Sequence, residues 1–167
     1  MAGLNSRFTR FLLPRTDRRY LLRLLVVALC AFFIFKFILI PFRVQGISMA
    51  PTYQHGDFNF GFTLHYAFTP LERHDIVLIR MAGREVMLLK RVVGLAGETV
   101  AFENGTLMVD GRPIDEPYVK GDCDWTLPPR TVESGHVYVV GDNRRVSMDR
   151  HDFGQTPVSR IEGAPLW

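Results

Sequence analysis

One long apolar segment near the N-terminus, residues 21–42, constrains this chain more than any other feature. In helical form the segment is ~33 Å long, enough to cross the ~30 Å hydrocarbon core of a bilayer. Arg23 lies near one end, and Lys36 lies close enough to the other for its long side chain to reach the interface. Pro41 favours the end of a helix at that point. The sequence therefore predicts a transmembrane helix over residues 21–42.

Basic residues around the start of this segment indicate how it is oriented. They are Arg7, Arg10, Arg15, Arg18, Arg19 and Arg23. Positive charge before a transmembrane helix stays in the cytoplasm, so residues 1–20 are predicted to be cytoplasmic and residues 43–167 to form an extracytoplasmic domain. A cleaved signal peptide is the alternative. The apolar run is long for one and no A-x-A-type site follows it, so we expect a retained anchor.

Composition excludes several classes of protein for the outer domain. The chain has 167 residues, room for about one domain besides the anchor. Residues 44–167 hold twelve Lys/Arg and sixteen Asp/Glu, which is not the footprint of a nucleic-acid-binding surface. Cys30 lies in the predicted span and Cys123 outside it, so no disulfide is expected. No Cys/His spacing for zinc is present, and we expect neither a metal nor a cofactor.

After Pro51 the sequence has the pattern of a β domain. Short runs rich in β-branched residues predict strands over residues 74–80, 85–93, 99–102, 106–109 and 136–140. Asn104-Gly105, between two of these runs, predicts a type I′ hairpin turn. Residues 121–135 contain Pro128-Pro129 and are predicted to be a loop. The predicted fold class is mainly β, an antiparallel barrel-like β domain on one transmembrane helix.

Lys90 stands in an otherwise apolar run, residues 86–93. In an extended strand it shares a face with Leu88 and Val92. Burial there disfavours the ammonium form, so the pKa of Lys90 is predicted to fall from about 10.4 toward neutrality. A neutral amine can act as a general base for a serine hydroxyl. The alternative is an edge strand with Lys90 and Arg91 near its exposed end.

Two further segments carry polar residues that such a base would need. Ser48 follows the apolar segment, between Gly46, which frees the backbone, and Pro51, which stiffens it. Taken alone, Ser48 is typical of an ordinary turn. Residues 141–150 follow a strand and are dense in polar side chains. They form either a solvated loop or the source of a third group that holds a lysine base in place.

The three segments together resemble a known family. Their motifs, in chain order behind the apolar segment, are Gly46-x-Ser48-Met49-x-Pro51-Thr52, Lys90-Arg91-Val92-Val93-Gly94-Leu95 and Gly141-Asp142-Asn143-Arg144. This combination closely resembles the type I signal peptidases, the bacterial leader peptidases. The resemblance continues through residues 104–118 and through the tail from residue 153 to residue 163.

This resemblance implies a membrane-bound serine endopeptidase that cleaves signal peptides from exported preproteins, without a cofactor. Ser48 would be the nucleophile, with its own backbone N–H binding the oxyanion, and Lys90 would be the general base. Ser147 resembles the serine that hydrogen-bonds this base. Asp142, Arg144 and Asp149 resemble residues that hold the site together. The implied partners are signal peptides and the lipid bilayer, and the implied location is the bacterial cytoplasmic (inner) membrane.

Substrate recognition is predicted less directly. The family leads us to expect small side chains at the −1 and −3 positions of the substrate. Residues flanking the dyad are predicted to wall the pockets: Phe42, Val44, Met49 and Leu89. Phe58, Phe60 and Phe62 alternate with Asn59 and Gly61, and either an aromatic face toward lipid or core packing fits that pattern.

The chain departs from the family at two places that bear on activity. Gly46 stands where some members carry a serine that helps to bind the oxyanion. Arg150-His151 stands where the family usually has Ser-Arg after the aspartate. Two alternatives therefore remain open: a processing peptidase specialised for one substrate class, and a weakly active homologue that acts as a membrane-anchored binding subunit.

Overall fold

The computed structural model of the chain describes residues 17–81, 87–150 and 153–167, and it divides the chain into two units at residues 37 and 38. In the first unit helix α1 (Arg18–Phe33) begins after Asp17, whose side chain accepts a hydrogen bond from the Tyr20 N–H at 2.9 Å. A π-helical segment (Ile34–Ile38) follows. The helical stretch Arg18–Ile38 is long and apolar enough to cross a membrane, and none of it is buried. It is compatible with a membrane anchor.

The predicted C-terminal end of the helix, at residue 42, is wrong, because the helical stretch ends at Ile38. Residues 39–42 belong to strand β1 (Leu39–Arg43), which pairs antiparallel with β2 (Phe58–Phe62), so that Pro41 lies opposite Phe60. Proline restricts the residue before it to extended backbone. It also lacks an N–H, which an edge strand such as β1 tolerates.

Seven antiparallel strands form the larger sheet. Besides β1 and β2 it contains β3 (Ile76–Arg80), β4 (Met87–Gly94), β9 (His136–Val140), β10 (Gly154–Pro157) and β11 (Ile161–Pro165). Their spatial order is β1-β2-β11-β3-β4-β9-β10. In the described part of the chain β1 and β10 remain edges, so the mainly β prediction is confirmed but the sheet does not close into a barrel.

Four strands form the second sheet, in the order β7-β6-β5-β8. They are β5 (Thr99–Glu103), β6 (Thr106–Val109), β7 (Arg112–Pro113) and β8 (Leu127–Thr131). The predicted β5–β6 hairpin is confirmed, and Asn104 and Gly105 both have the positive φ that a type I′ turn needs. Strand β8 lies inside the predicted loop 121–135. Its two prolines are tolerated because β8 is an edge strand.

Short helical segments complete the second unit: helix α2 (His65–Phe68) and the 3-10 turns Met148–Arg150 and Val158–Arg160. Cys30 and Cys123 are both free thiols. On β2, Asn59 and Gly61 are buried whereas Phe58 is 51% exposed and its two aromatic neighbours on that face are half-buried. The aromatic residues therefore lie on the less buried face of the strand.

Strand β4 contributes to all three buried clusters of the domain. Val93 packs with Phe102, Trp125 and Tyr138 between the sheets. Val92 belongs to a second cluster, with Val77, Ile79, Val137 and Val139. Leu89 belongs to a third, with Val44, Met49 and Leu78. Because side chains alternate along a strand, β4 joins clusters on both of its faces, and Lys90 is one of its buried residues.

Glycine at position 105 is expected to be required for stability. A Cβ there would lie 2.0 Å from the Cys123 carbonyl oxygen, at a φ of +83°. Gly105→Ala should lower the free energy of unfolding by ~2–4 kcal/mol, from left-handed strain plus the clash. Gly111→Ala is the matched control, since its φ is +72° but no atom lies within 4 Å. Urea unfolding of the detergent-solubilised chain measures both, and equal losses would contradict the predicted clash.

Candidate active site

Ser48 lies in a turn between β1 and β2. The Ala50 N–H donates to the Ile47 carbonyl at 3.1 Å, and the Tyr53 N–H donates to the Met49 carbonyl at 3.0 Å. Met49 is 2% exposed, whereas Ser48 is only half-buried. The buried methionine anchors the turn in the domain and leaves the serine next to it accessible.

Lys90 lies in β4, opposite Val77 of β3, and is 2% exposed. Strand β4 has β3 on one side and β9 on the other. Lys90 is 2% exposed and Arg91 is 7% exposed, so the alternative that places both near the exposed end of an edge strand is wrong. Burial shields the Lys90 amine from water, and the prediction that Lys90 acts as a base requires this shielding.

A shared cluster brings the serine turn and the lysine strand to the same part of the domain. Met49, which follows Ser48, and Leu89, which precedes Lys90, belong to one buried cluster with Val44.

A groove of about 540 Å³ runs past Ser48. It is lined by residues 40–46 from β1 and the segment after it, by Ser48 and Met49, and by Leu78 and residues 87–89 from β3 and β4. The four predicted pocket residues, Phe42, Val44, Met49 and Leu89, all line this groove together with Ser48.

The Asp142 carboxylate is fully buried and joins all three motifs. It accepts hydrogen bonds from Arg91 Nε at 2.8 Å, from Arg91 Nη2 at 2.6 Å and from the Thr52 hydroxyl at 2.5 Å. Burial opposes the charge of Arg91, but the hydrogen bonds and the charge of Asp142 outweigh it and raise the pKa of the guanidinium above its ordinary value. Thr52 comes from the serine turn, and Arg91 follows Lys90.

A second buried pair supports the third motif. Arg144 is 1% exposed and donates to both oxygens of Glu116, at 3.0 and 2.5 Å, and to the Gly141 carbonyl. The Tyr118 hydroxyl donates to Glu116 at 2.6 Å, and the Arg91 guanidinium lies 3.8 Å from the centre of the Tyr118 ring. Burial and the charge of Glu116 raise the pKa of Tyr118 well above its ordinary value, so Tyr118 stays a donor.

Ser147 and Asp149 lie at the exposed end of the third motif. The Arg150 N–H donates to the Ser147 carbonyl at 3.0 Å. A hydrogen bond from Ser147 and one from its own backbone lower the pKa of the Asp149 carboxyl. The role of Ser147 toward Lys90 stays a prediction. Arg150 is exposed, and His151 lies outside the described residues.

Sequence reasoning missed the partners of these motif residues. Thr52 was part of a motif, but no feature of the sequence indicated that its hydroxyl donates a hydrogen bond to Asp142. Glu116 and Tyr118 matched the family without an assigned role. The residue types gave one indication, since a buried arginine needs a carboxylate partner.

Among the described residues no group of three or more His, Cys, Asp or Glu side chains is arranged to hold a metal ion.

His74 touches the same network and makes stability depend on pH. Its carbonyl accepts from Arg91 Nη1 at 2.8 Å, and its Nδ1 lies 3.2 Å from the Tyr118 hydroxyl. Burial lowers the pKa of His74 below its ordinary 6.5. The unfolded chain therefore binds this proton more readily, and stability should fall as the pH drops below about 6.5.

His74→Asn should remove that part of the pH dependence, because asparagine tolerates the positive φ of 75° at this position without titrating. Urea unfolding of both proteins from pH 7.5 to pH 5 measures the effect. Parallel pH curves for the wild type and the variant would show that another group is responsible.

Removal of the Asp142 charge should strongly destabilise the fold. Asp142→Asn leaves Arg91 buried without its counter-charge, a change expected to cost ~3–5 kcal/mol. Glu162→Gln is the matched control, because its partner Arg80 is 47% exposed and such pairs are worth ~0–1 kcal/mol. Denaturant unfolding measures the free energy of unfolding of both variants. A loss below about 1 kcal/mol for Asp142→Asn would mean that the Arg91–Asp142 pair does not hold the motifs together.

Comparison with known proteins places the chain in a family. The sequence model of the family described as "Signal peptidase, peptidase S26" matches residues 18–166. Signal peptidase I of Bacillus caldolyticus is 34% identical over 152 residues, covering 83% of this chain and 81% of that protein. Signal peptidase I V of Bacillus subtilis is 34% identical over 140 residues, covering 75% and 83%. A solved signal peptidase I from Enterococcus faecalis matches with 28% identity and a TM-score of 0.46, over 57% of this chain and 97% of that one. The family model and the two Bacillus relatives show that the chain belongs to the signal peptidase family, peptidase S26, and is a hydrolase of that family.

Proposed function

We propose that this chain is a membrane-anchored serine endopeptidase that cleaves N-terminal signal peptides from exported preproteins with a dyad of Ser48 and Lys90. One observation carries the proposal: Ser48 lines a groove together with Leu89, whose neighbour Lys90 is buried in an interior strand. The relatives that carry the name signal peptidase I supply the substrate class.

The proposed reaction uses Lys90 as the base in both halves. The neutral amine takes the proton of the Ser48 hydroxyl while Oγ attacks the scissile carbonyl. The Ser48 N–H stabilises the oxyanion, and the protonated lysine then gives its proton to the leaving amine. For deacylation Lys90 takes a proton from water, which attacks the acyl-enzyme. The proton returns to Ser48 as the ester bond breaks.

The part of β4 that β9 does not cover suits an extended substrate. Residues 87–90 pair with β3 on one side, whereas the pairing of β4 with β9 begins only at Arg91. Residues 87–89 line the groove, and β1 lines it as well. A cleavage segment in this groove can add to the sheet through its backbone, with alternate side chains directed into the pockets.

The pocket walls favour small side chains. Met49 and Leu89 are both nearly fully buried and fill space beside Ser48, and Phe42 and Val44 add further bulk. We propose that these four residues restrict the −1 and −3 positions of the substrate. Asp142 and Arg144 hold the third motif in place, with Asp149 at its exposed end, and Ser147 orients the base.

The anchor and its orientation are part of the proposal. The helical stretch Arg18–Ile38 would cross the bacterial cytoplasmic membrane once. The arginines before it would keep residues 1–20 in the cytoplasm, of which residues 1–16 lie outside the described structure. The β domain would then act outside the cytoplasm, where signal peptides emerge.

Loss of either dyad residue should abolish processing. Ser48→Ala and Lys90→Ala are expected to lower the cleavage rate of a preprotein by at least ~10³-fold. Ser134→Ala and Lys120→Ala make the same chemical changes at exposed positions and should leave the rate within about two-fold, as surface changes usually do. The measurement is cleavage of a purified preprotein by the full chain in detergent micelles.

Two results would count against the proposal. Full activity of either dyad variant would remove Ser48 or Lys90 from the chemistry. A wild-type chain that cleaves nothing across a panel of signal peptides, yet still binds them, would favour the membrane-anchored binding subunit instead.

A further inference from the structure

A single residue, Asn143, holds two consecutive carbonyl groups of the serine turn. Its backbone N–H donates to the Ser48 carbonyl at 2.9 Å. Its side-chain Nδ2 donates to the Ile47 carbonyl at 3.0 Å. A carbonyl oxygen only accepts, so the half of the amide that faces Ile47 is the NH2 group.

The bond to Ile47 has a consequence for the neighbouring peptide N–H. The Ile47 C=O and the Ser48 N–H belong to one planar trans peptide and point in opposite directions. A donor that fixes the Ile47 carbonyl therefore fixes the direction of the Ser48 N–H. It also polarises that N–H, since hydrogen bonds along a chain strengthen one another. The Ala50 N–H, 3.1 Å from the same carbonyl, acts in the same sense.

Gly46, two residues before Ser48, offers no second donor to an oxyanion. Gly46 has no side-chain hydroxyl to offer an oxyanion. Its backbone N–H already donates to His55 Nδ1 at 3.1 Å. The Ser48 N–H therefore carries more of the oxyanion stabilisation in this chain than it would beside a serine at position 46.

We infer that Asn143 is a positioning residue for catalysis: its side-chain amide orients the Ser48 N–H toward the oxyanion. The inference rests on the proposed function, in which Ser48 is the nucleophile. Asn143 contacts the serine turn through the carbonyl groups of Ile47 and Ser48. It acts through the Ile47–Ser48 peptide, so its removal weakens binding of the transition state and leaves binding of the substrate unchanged.

The test compares Asn143→Asp and Asn143→Ala with the wild-type full chain in detergent. Aspartate keeps the shape but places an acceptor against the Ile47 carbonyl, and both variants keep the backbone N–H bond to Ser48. We expect kcat for preprotein cleavage to fall ~10–100-fold, less than the ~10²–10³-fold for loss of an entire oxyanion donor, with KM unchanged within about three-fold. Asn104→Asp, the same change in the exposed β5–β6 turn, is the matched control and should leave kcat unchanged.

A second measurement separates positioning from a merely structural role. A peptide aldehyde forms a tetrahedral adduct when Ser48 Oγ adds to its carbonyl, and the resulting oxygen occupies the oxyanion position. Its affinity should fall by the same factor as kcat in both variants. The affinity for an uncleavable peptide amide of the same sequence should not change.

Two outcomes overturn the inference while the proposed function stands: wild type cleaves and Asn143→Asp keeps full kcat, or the variants lose affinity for the aldehyde and the amide equally. Failure of both variants to fold would assign Asn143 to stability alone and overturn it as well. A wild-type chain that cleaves no preprotein refutes the proposed function first, and the inference with it.

Discussion

The rest of the site depends on the hydrogen bonds that the buried Asp142 carboxylate accepts. A charge in the interior costs several kcal/mol unless it is paired and hydrogen-bonded, and Asp142 is compensated by two nitrogens of Arg91 and by the Thr52 hydroxyl. These donors come from the serine turn and from the strand of the buried lysine. If either segment moved away, the buried carboxylate would lose a hydrogen-bond donor, so the three motifs are held together.

Local chemistry explains which parts of the fold could be predicted from sequence. The Asn104-Gly105 turn needs positive φ at both residues, and β-branched runs predict β3, β4 and β9, so these elements were found. Strand β1 was missed because apolar composition alone fits a helix and a strand equally, and only pairing with β2 decides between them. Strand β8 was missed because its prolines are typical of a loop, and only its place at a sheet edge makes them acceptable.

The site was predictable to the extent that its motifs were contiguous. Ser48, Lys90 and Asp142 each stand in a short recognisable segment. The contacts between segments were not predictable, because Arg91 and Asp142 are 51 positions apart and Arg144 and Glu116 are 28 apart. Residue types indicate that a buried arginine needs a carboxylate, but a chain with 17 acidic residues does not indicate which one.

The position of Ser48, the proposed nucleophile, in a turn outside the strands gives these cross-links their importance. A turn has no ladder of sheet hydrogen bonds, so its geometry must come from elsewhere. Met49 anchors the Ser48 turn in the buried cluster, Thr52 ties it to Asp142, and Asn143 holds two of its carbonyls. All three supports are present in this chain. The departure from the family at Arg150 falls on an exposed 3-10 turn beyond them. An intact support around Ser48 favours the active peptidase over the weakly active binding subunit, because a chain that only binds would not need to fix the peptide plane behind the proposed nucleophile.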